Sequence, residues 1–328
     1  MPNSYTVSVC ITTYNMEHYI ARALDSVVKQ ETGFSYEIIV ADDASTDQTV
    51  AIVKTYQALL GNRLKLLESE KNQGVMANYN RALECASGAF IASLDADDYW
   101  IDIHKLQKQV NLFYTQPDIG YIHTNFYYED ETTGERVIAR DQYYQFPEED
   151  AFTSTLLHYD IFFSSSCFRR TLINFDELKV YAEKKFYAQD LALFLHLTRI
   201  SNGFYMPDPT TVCCYRTNSR SRLQNAEQRI ENYRNTAAIE DYFIAQTPIP
   251  ASLNARRIFN KRLTILLASW ETRNYHFVKQ HTEELSLRSV LRHRPGVAYI
   301  YIASKNPLLF RLLLPWVLRN RTLSDRVQ

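Results

Sequence analysis

Apolar residues in the first hundred positions switch repeatedly between two periods. Val7, Val9 and Ile11 occupy alternate positions with Ser8, Cys10 and Thr12 between them, the spacing of a strand buried on at least one face. Thr13-Tyr14-Asn15 breaks the run, and Ile20, Ala23, Leu24, Val27 and Val28 follow at helical spacing. Tyr36 to Ala41 predicts a second strand closed by Asp42-Asp43. Ser45 and Gln48 have the spacing of a capping box, and Val50, Val53, Tyr56 and Leu60 continue a helix from it. Leu64 to Leu67 predicts a third strand, Asn72-Gln73-Gly74 a turn and Val75 to Ala86 a helix. A fourth strand ends at Asp95. Strands alternating with helices in this order predict a parallel, right-handed, doubly wound sheet.

Beyond Trp100 the pattern changes. Leu106, Val110 and Phe113 mark a helix. Ile119 to Tyr128, a turn through Thr133-Gly134, and Ile161 to Phe168 predict antiparallel or mixed strands. Ala188 to Ile200 reads as a helix. Gly203 to Tyr215 regains strand character, interrupted by Pro207 and Pro209. From Gln224 the chain reads as helical, in blocks Gln224–Gln246 and Ala251–Leu285 parted by Pro248-Ile249-Pro250. The expected organisation is an α/β domain over 1–222 and a helical region over 223–328.

Composition adds two points. The 328 residues carry a net charge of −1, which gives no global signal for nucleic-acid binding. Charge is uneven, however: residues 286–328 hold eight Lys/Arg against Asp325 alone, a net +7 that leaves −8 on the rest. Cys10, Cys85, Cys167, Cys213 and Cys214 show no C-x-x-C spacing, so buried thiols in a reducing compartment are expected. No basic segment followed by an apolar one precedes Val7, so no signal peptide is expected.

Candidate chemistry lies at strand ends. Asp95-Ala96-Asp97-Asp98 closes the fourth strand, where open α/β sheets bind ligands. In extended chain Asp95 and Asp97 point the same way and converge on one hard cation. A solvated acidic turn is the competing reading. No G-x-G-x-x-G follows the first strand, and no P-loop, G-x-S-x-G or H-E-x-x-H is present. An acidic pocket suits a phosphate that arrives with a divalent cation.

The runs VSVCITTYNMEHYIARALDSVVKQ, EIIVADDASTDQT, NQGVMANYNRAL and ASGAFIASLDADDYW, in this order, resemble the family 2 glycosyltransferases of GT-A fold. The resemblance is dense over about 100 residues and thinner to about residue 220. It implies a Rossmann-like α/β fold of the nucleotide-diphospho-sugar transferases: a mixed sheet flanked by helices, here with a C-terminal helical extension. It also implies an inverting transfer from a nucleotide sugar, expected to be UDP-linked, with Mn or Mg as divalent cofactor. By position, Tyr14 would pack on the donor base, with Thr12, Thr13 and Asn15 beside it. One of Asp42 and Asp43 would read the base, and Asn72 and Gly74 would form the turn beneath the nucleotide. Asp95-Ala96-Asp97 matches the D-x-D motif: Asp97 would bind metal with help from Asp98, and Asp95 would contact ribose or metal-bound water. Asp190, in Gln189-Asp190, stands where the family keeps its general base. Its other reading is a helix-start acid, whose pKa the helix dipole would lower. Two departures are visible: Gln189 stands for Glu, and Tyr79 occupies a position that is often Arg, with Arg81 as the substitute. Tyr215-Arg216 resembles the segment after the last strand, where Arg216 or Arg220 would reach the diphosphate and Asn218 the metal.

The tail mixes apolar stretches (Val297 to Ile302, Leu308 to Leu318) with Lys305, Arg311, Pro307 and Pro315, and no run reaches the ~20 residues that span a bilayer. Two readings stand: an interfacial anchor on an anionic membrane over 286–328, or helices packed on the protein or a second copy as a homodimer. The expected activity is sugar transfer to a glycan or lipid-linked acceptor in cell-surface polysaccharide or glycolipid synthesis, at the cytoplasmic membrane face. The alternative is a non-catalytic nucleotide-sugar-binding or scaffold protein on the same fold.

Overall fold

Strand β1 (Val7–Thr13) is buried at every position, which requires cover on both faces of its sheet. Burying Ser8 is offset by its hydrogen bond to Glu37 (2.6 Å), and Glu37 is in turn paired with Lys65 (2.8 Å). Helix α1 (Ile20–Val28) buries Ile20, Ala23, Leu24 and Val27, the apolar stripe of its sequence. Strand β2 (Tyr36–Asp42), helix α2 (Thr49–Leu60), strand β3 (Leu64–Leu67), helix α3 (Val75–Cys85) and strand β4 (Phe90–Asp95) follow. Strands β3, β2, β1 and β4 lie side by side in that order, all parallel.

The sheet then becomes mixed. Next in order come β5 (Tyr99–Trp100), α4 (Lys105–Thr115), β6 (Ile119–Asp130), β7 (Arg136–Ile138), α5 (Ala151–His158), β8 (Cys167–Arg169), α6 (Phe175–Glu183), α7 (Gln189–Ile200) and β9 (Asn202–Tyr215). The spatial order continues β4-β8-β6-β9-β5, with β7 on β6; β8 runs antiparallel to β4 and β6. The expected mixed α/β sheet flanked by helices is thus present.

The structure, a computed structural model, describes residues 5–140, 150–159, 161–215, 226–294 and 298–324. It divides into two compact units, Met1–Asn218 and Ser219–Gln328. In the second unit α8 (Ala226–Gln246) packs on α9 (Ala251–Trp270), followed by α10 (Tyr275–Thr282), α11 (Leu287–His293), α12 (Ala298–Ser304) and α13 (Pro307–Ser324). Their core gathers around fully buried Trp270, with Val278, Val290, Ile300, Tyr301 and Phe310. Trp270 Nε1 donates to Ser304 Oγ (2.8 Å). The tail helices therefore pack on this unit. Among the described residues no helix is long and apolar enough to cross a membrane.

Four local expectations are corrected. Ser45 does not cap α2, which starts at Thr49; its hydroxyl and backbone N–H both bind Asp42, and Asp47 accepts from Thr49 N–H (2.9 Å) instead. Of Ile161 to Phe168 only Cys167 and Phe168 are strand, in the antiparallel β8; Phe163–Ser165 form a 3₁₀ turn instead, where serine hydroxyls bond back to Phe162 and Phe163 carbonyls. The helical block from Ala251 breaks at Arg273, whose φ of 55° is left-handed, and Asn274 caps the next helix. Strand β9 absorbs its two prolines at a register shift: Thr124 pairs with Met206 but Asn125 with Pro209.

Gly88 marks a close backbone approach beside β1. A Cβ there would lie 2.5 Å from Ser8 N and 2.6 Å from the Val7 carbonyl carbon. Gly88→Ala is expected to destabilise the protein by about 1–3 kcal/mol through forced backbone movement. Urea unfolding checks this, and an unchanged midpoint would contradict the approach.

Candidate active site

Register makes the ends of three strands flush. Thr12 pairs with Ala41 on one side and Asp95 on the other, and Thr13 pairs with Asp42. The chain runs outward from β1 to β2 and β3, then returns to place β4 on the other side of β1. The β1–β4 boundary is therefore the topological switch point, where such sheets open a ligand crevice. There Thr12 Oγ1 donates to Asp95 Oδ1 (3.3 Å).

The acidic stretch does not continue as extended chain. Asp98 N–H donates to Asp95 C=O (3.0 Å), so residues 95–98 form a turn and the alternation argument for Asp95 and Asp97 does not apply. The three carboxylates still gather. Burial pushes the Asp95 carboxyl well above its usual range, and Asp98, Asp97 and Asp190 raise it further. Their roles in the turn differ. Asp98 is buried and accepts from Ser164 Oγ (2.5 Å) and Cys214 N–H (3.2 Å), whereas Asp97 is half-buried.

Asp190 arrives from 95 positions later, in the first turn of α7. Its Oδ1 accepts from Leu191 N–H (2.8 Å), the helix-start contact expected of it. The expected lowering of its pKa is overturned, however. Burial raises it, outweighing the nearby Tyr159 hydroxyl and the helix N–H groups.

The two neighbouring loops are tied together by side chains. Asn15 takes a left-handed φ of 54°, its N–H donates to Ser45 Oγ (2.9 Å), and its Oδ1 accepts from Thr46 N–H (2.8 Å). Met16 N–H donates to Thr49 Oγ1 (2.7 Å). This leaves the Tyr14 ring 43% exposed at the end of β1. Thr13 is buried, and its carbonyl accepts from Asp43 N–H (3.0 Å). Asp43 accepts from Gln73 N–H (2.8 Å) and Gly74 N–H (2.9 Å), which draws the turn before α3 to the end of β2. Gly74 has φ 89°, a conformation side chains resist. Asn72 is exposed beside it. Tyr79 is buried on Ser93 Oγ (2.8 Å), and Arg81 grips the Asp42 (3.3 Å) and Glu68 (2.7 Å) carbonyls. Arg216, Asn218 and Arg220 lie outside the described residues. No cluster of three or more His, Cys, Asp or Glu arranged to hold a metal occurs among the described residues.

Two site residues escaped sequence reading. Ser164 accepts from Asp95 N–H (3.0 Å), donates to Asp98, and through its carbonyl accepts from Trp100 Nε1 (2.8 Å). The only sequence signal was a serine run inside an apolar segment. Tyr159 had no signal at all. Arg22 also braces the wall: it pairs with Glu129 (3.2 Å), contacts Cys214 Sγ (2.6 Å), and lies 4.2 Å from the Tyr99 ring centroid. Ser164→Ala is expected to strand the Asp95 N–H and an Asp98 oxygen, costing about 1–3 kcal/mol of stability. Donor binding should weaken as the turn loosens. Calorimetry and nucleotide titration check both effects, and wild-type values in the two would refute the clamp.

Comparison with known proteins gives the family. Residues 8–174 match the model of Glycosyl transferase family 2. Over 124 residues (38% of this chain, 47% of the relative) the sequence is 38% identical to WfgD of Escherichia coli, a UDP-Glc:alpha-D-GlcNAc-diphosphoundecaprenol beta-1,3-glucosyltransferase. Over 94 residues (28% of this chain, 16% of the relative) it is 43% identical to TarS of Staphylococcus aureus, a poly(ribitol-phosphate) beta-N-acetylglucosaminyltransferase. An uncharacterised protein of Mycobacterium tuberculosis is 40% identical over 112 residues, and the match covers 34% of this chain. It spans 32% of that relative's length. Residues 1–349 of TarS in complex with UDP-GlcNAc superpose with a TM-score of 0.62 at 18% identity, covering 96% of this chain and 91% of that one. A mannosyltransferase from Pyrobaculum calidifontis, in complex with GDP-Man and Mn2+, gives 0.52 at 20% identity, covering 95% and 87%. These structural likenesses establish the GT-A fold. With the family model covering more than half of it, the chain belongs to glycosyl transferase family 2.

Proposed function

We propose that this protein transfers a sugar from a nucleotide-diphosphate donor to an acceptor hydroxyl with inversion, aided by a divalent cation. One arrangement carries the reading: Ser164 binds both Asp95 N–H and the Asp98 carboxylate in the turn at the switch point of the sheet, and Asp190 on α7 raises the Asp95 pKa. A donor-side acid cluster and a separate acid are what a displacement at an anomeric carbon needs.

The donor set fits a hard cation. Its groups are carboxylates crowded together, and Mg²⁺ or Mn²⁺ in such sites takes one or two carboxylates and completes its shell with substrate phosphates and water. Asp97 would hold the ion, and Asp95 would contact ribose or metal-bound water. Asp98 was expected to share the metal role; its bonds to Ser164 and Cys214 suit it better to shaping the turn. When bound, the ion would neutralise charge on the leaving diphosphate.

The remaining steps belong to this chain's own groups. Tyr14 offers an exposed ring for the base beside Thr12, Thr13 and Asn15. Asp42 and Asp43 keep lone pairs free of the loop hydrogen bonds for a base or ribose donor, since a carboxylate accepts about four. Asn72 and Gly74 edge the nucleotide. Asp190 takes the proton of the attacking hydroxyl. Its upward shift improves it as a base, and sets the sign of the pH dependence: kcat falls on the acid side, at a pH above the ordinary carboxylate range. The relatives' activities, a UDP-Glc transfer to a diphosphoundecaprenol-linked sugar and an N-acetylglucosaminyl transfer, support a UDP-linked donor and a lipid-linked or polymeric glycan acceptor.

We place the work at the cytoplasmic face of a membrane. While α11, α12 and α13 bury Val290, Ile300 and Phe310, they leave Leu291, Ile302, Leu308 and Leu312 exposed among Arg288, Arg292, Lys305 and Arg311. Exposed leucines set among basic residues suit an anionic bilayer surface.

Asp97→Ala should abolish metal-dependent nucleotide binding. Asp190→Ala should spare binding and remove transfer, by about 10²-fold or more. Nucleotide release from a donor panel with Mn²⁺ or Mg²⁺ measures both, and an active Asp190→Ala protein ends the base assignment. Leu308→Ser/Leu312→Ser should reduce flotation with phosphatidylglycerol-rich vesicles and leave turnover of a soluble acceptor unchanged. Equal flotation would remove the membrane reading.

A further inference from the structure

We infer that Lys105 is a positioning residue: through Trp100 and Gln109 it fixes the serine turn that holds Asp95 and Asp98; this rests on that acidic turn being the donor site. Lys105 opens α4, is fully buried, and forms no ion pair among the described residues. Its place is unfavourable on two counts. Burial withdraws an ammonium from water, and the first turn of a helix repels positive charge. A methionine would fill similar space without either cost, so packing alone does not account for the lysine.

What the ammonium does is visible in its contacts. Nζ donates to Gln109 Oε1 (2.9 Å), one turn along α4, and stands 4.3 Å from the centroid of the Trp100 ring. Both of those side chains end on the turn Phe163–Ser165. Gln109 Nε2 donates to Ser165 C=O (3.0 Å), and Trp100 Nε1 donates to Ser164 C=O (2.8 Å). Ser164 Oγ in turn accepts from Asp95 N–H (3.0 Å) and donates to Asp98 (2.5 Å). One buried charge thus orients an amide and an indole, and these two hold consecutive carbonyls of the turn. Lys105, Gln109, Trp100, Ser164 and Ser165 are all buried, which strengthens each of these bonds.

Burial also brings the ammonium down to about 8. The titratable groups that act on it, Asp102 ahead of α4 and the Cys167 thiol on β8, oppose that shift. The neutral amine still reaches Gln109, but it loses charge assistance and its attraction to the ring. Two consequences follow, of opposite sign. Between about 8 and the ordinary 10.5 the unfolded chain binds a proton that the folded one has released, so this group adds stability as pH rises. Over the same range the serine turn loses its anchor, and nucleotide binding weakens.

The test compares wild type with Lys105→Met from neutral pH to about 9.5, by Mg²⁺–UDP titration, tryptophan emission and thermal midpoint. Wild-type emission should change with a midpoint of about 8 as Lys105 titrates over Trp100, and Mg²⁺–UDP affinity should fall about tenfold across that step. Lys105→Met should lack the emission change, bind about tenfold more weakly at neutral pH with no alkaline fall, and melt at or above the wild-type temperature. Gln109→Leu should keep the emission change and bind weakly. Wild-type affinity in Lys105→Met at neutral pH, or the same alkaline fall in both proteins, would overturn the inference and leave the donor site standing. If Lys105→Met does not fold, the wild-type curves decide: an emission change with no matching fall in affinity overturns it. A wild type that binds neither Mg²⁺–UDP nor Mg²⁺–GDP would overturn the donor site itself, and this inference with it.

Discussion

A carboxylate withdrawn from water is the constraint around which the candidate site is built. Burial pushes the Asp95 carboxyl well above its usual range, and Asp98, Asp97 and Asp190 raise it further. Holding such a group in place requires rigid anchors. They are visible around it: Ser164 spans Asp95 and Asp98, Thr12 reaches Asp95, and Cys214 N–H meets Asp98. The parallel sheet behind them, buried at every position of β1, prevents the strand ends from drifting apart.

The same economy recurs at the β2 end. Asp42 and Asp43 use their carboxylates to set the loops that border the site, one through Ser45 and one through Gly74. A loop built on acid–amide hydrogen bonds keeps its backbone polar groups satisfied at little cost.

The distribution of strain follows this layout. Left-handed backbone outside glycine occurs at Asn15, Ala44 and Tyr159, as well as at Lys185 and Arg273. The first two lie in the loops that frame the strand ends. Such positions persist only where the surroundings over-determine them, and the side-chain ties between the loops that carry Asn15 and Ala44 supply that constraint.

Much of this was legible in the linear chain. Alternation at Val7 to Ile11 and short apolar runs at Tyr36 to Ala41, Leu64 to Leu67 and before Asp95 marked the four parallel strands, because strands covered on both faces are apolar along their length. Helical spacing marked α1 to α3 and α7 because one stripe of each faces the sheet. The ordered motifs marked Tyr14, Asp42, Asp43, Asp95 and Asp97 as neighbours because parallel strands in one register must end together. Tertiary structure decided what local spacing does not encode. Ser45 serves Asp42 and does not cap a helix, since a nearby carboxylate is the stronger partner for its hydroxyl. The chain turns after Asp95, so the carboxylates gather by folding back and not by alternation. Asp190 is shifted upward because burial, invisible in sequence, outweighs the helix terminus that is visible. Ser164 reaches the site from a segment whose own pattern marks nothing, and its role depends on distances that only the packed chain creates.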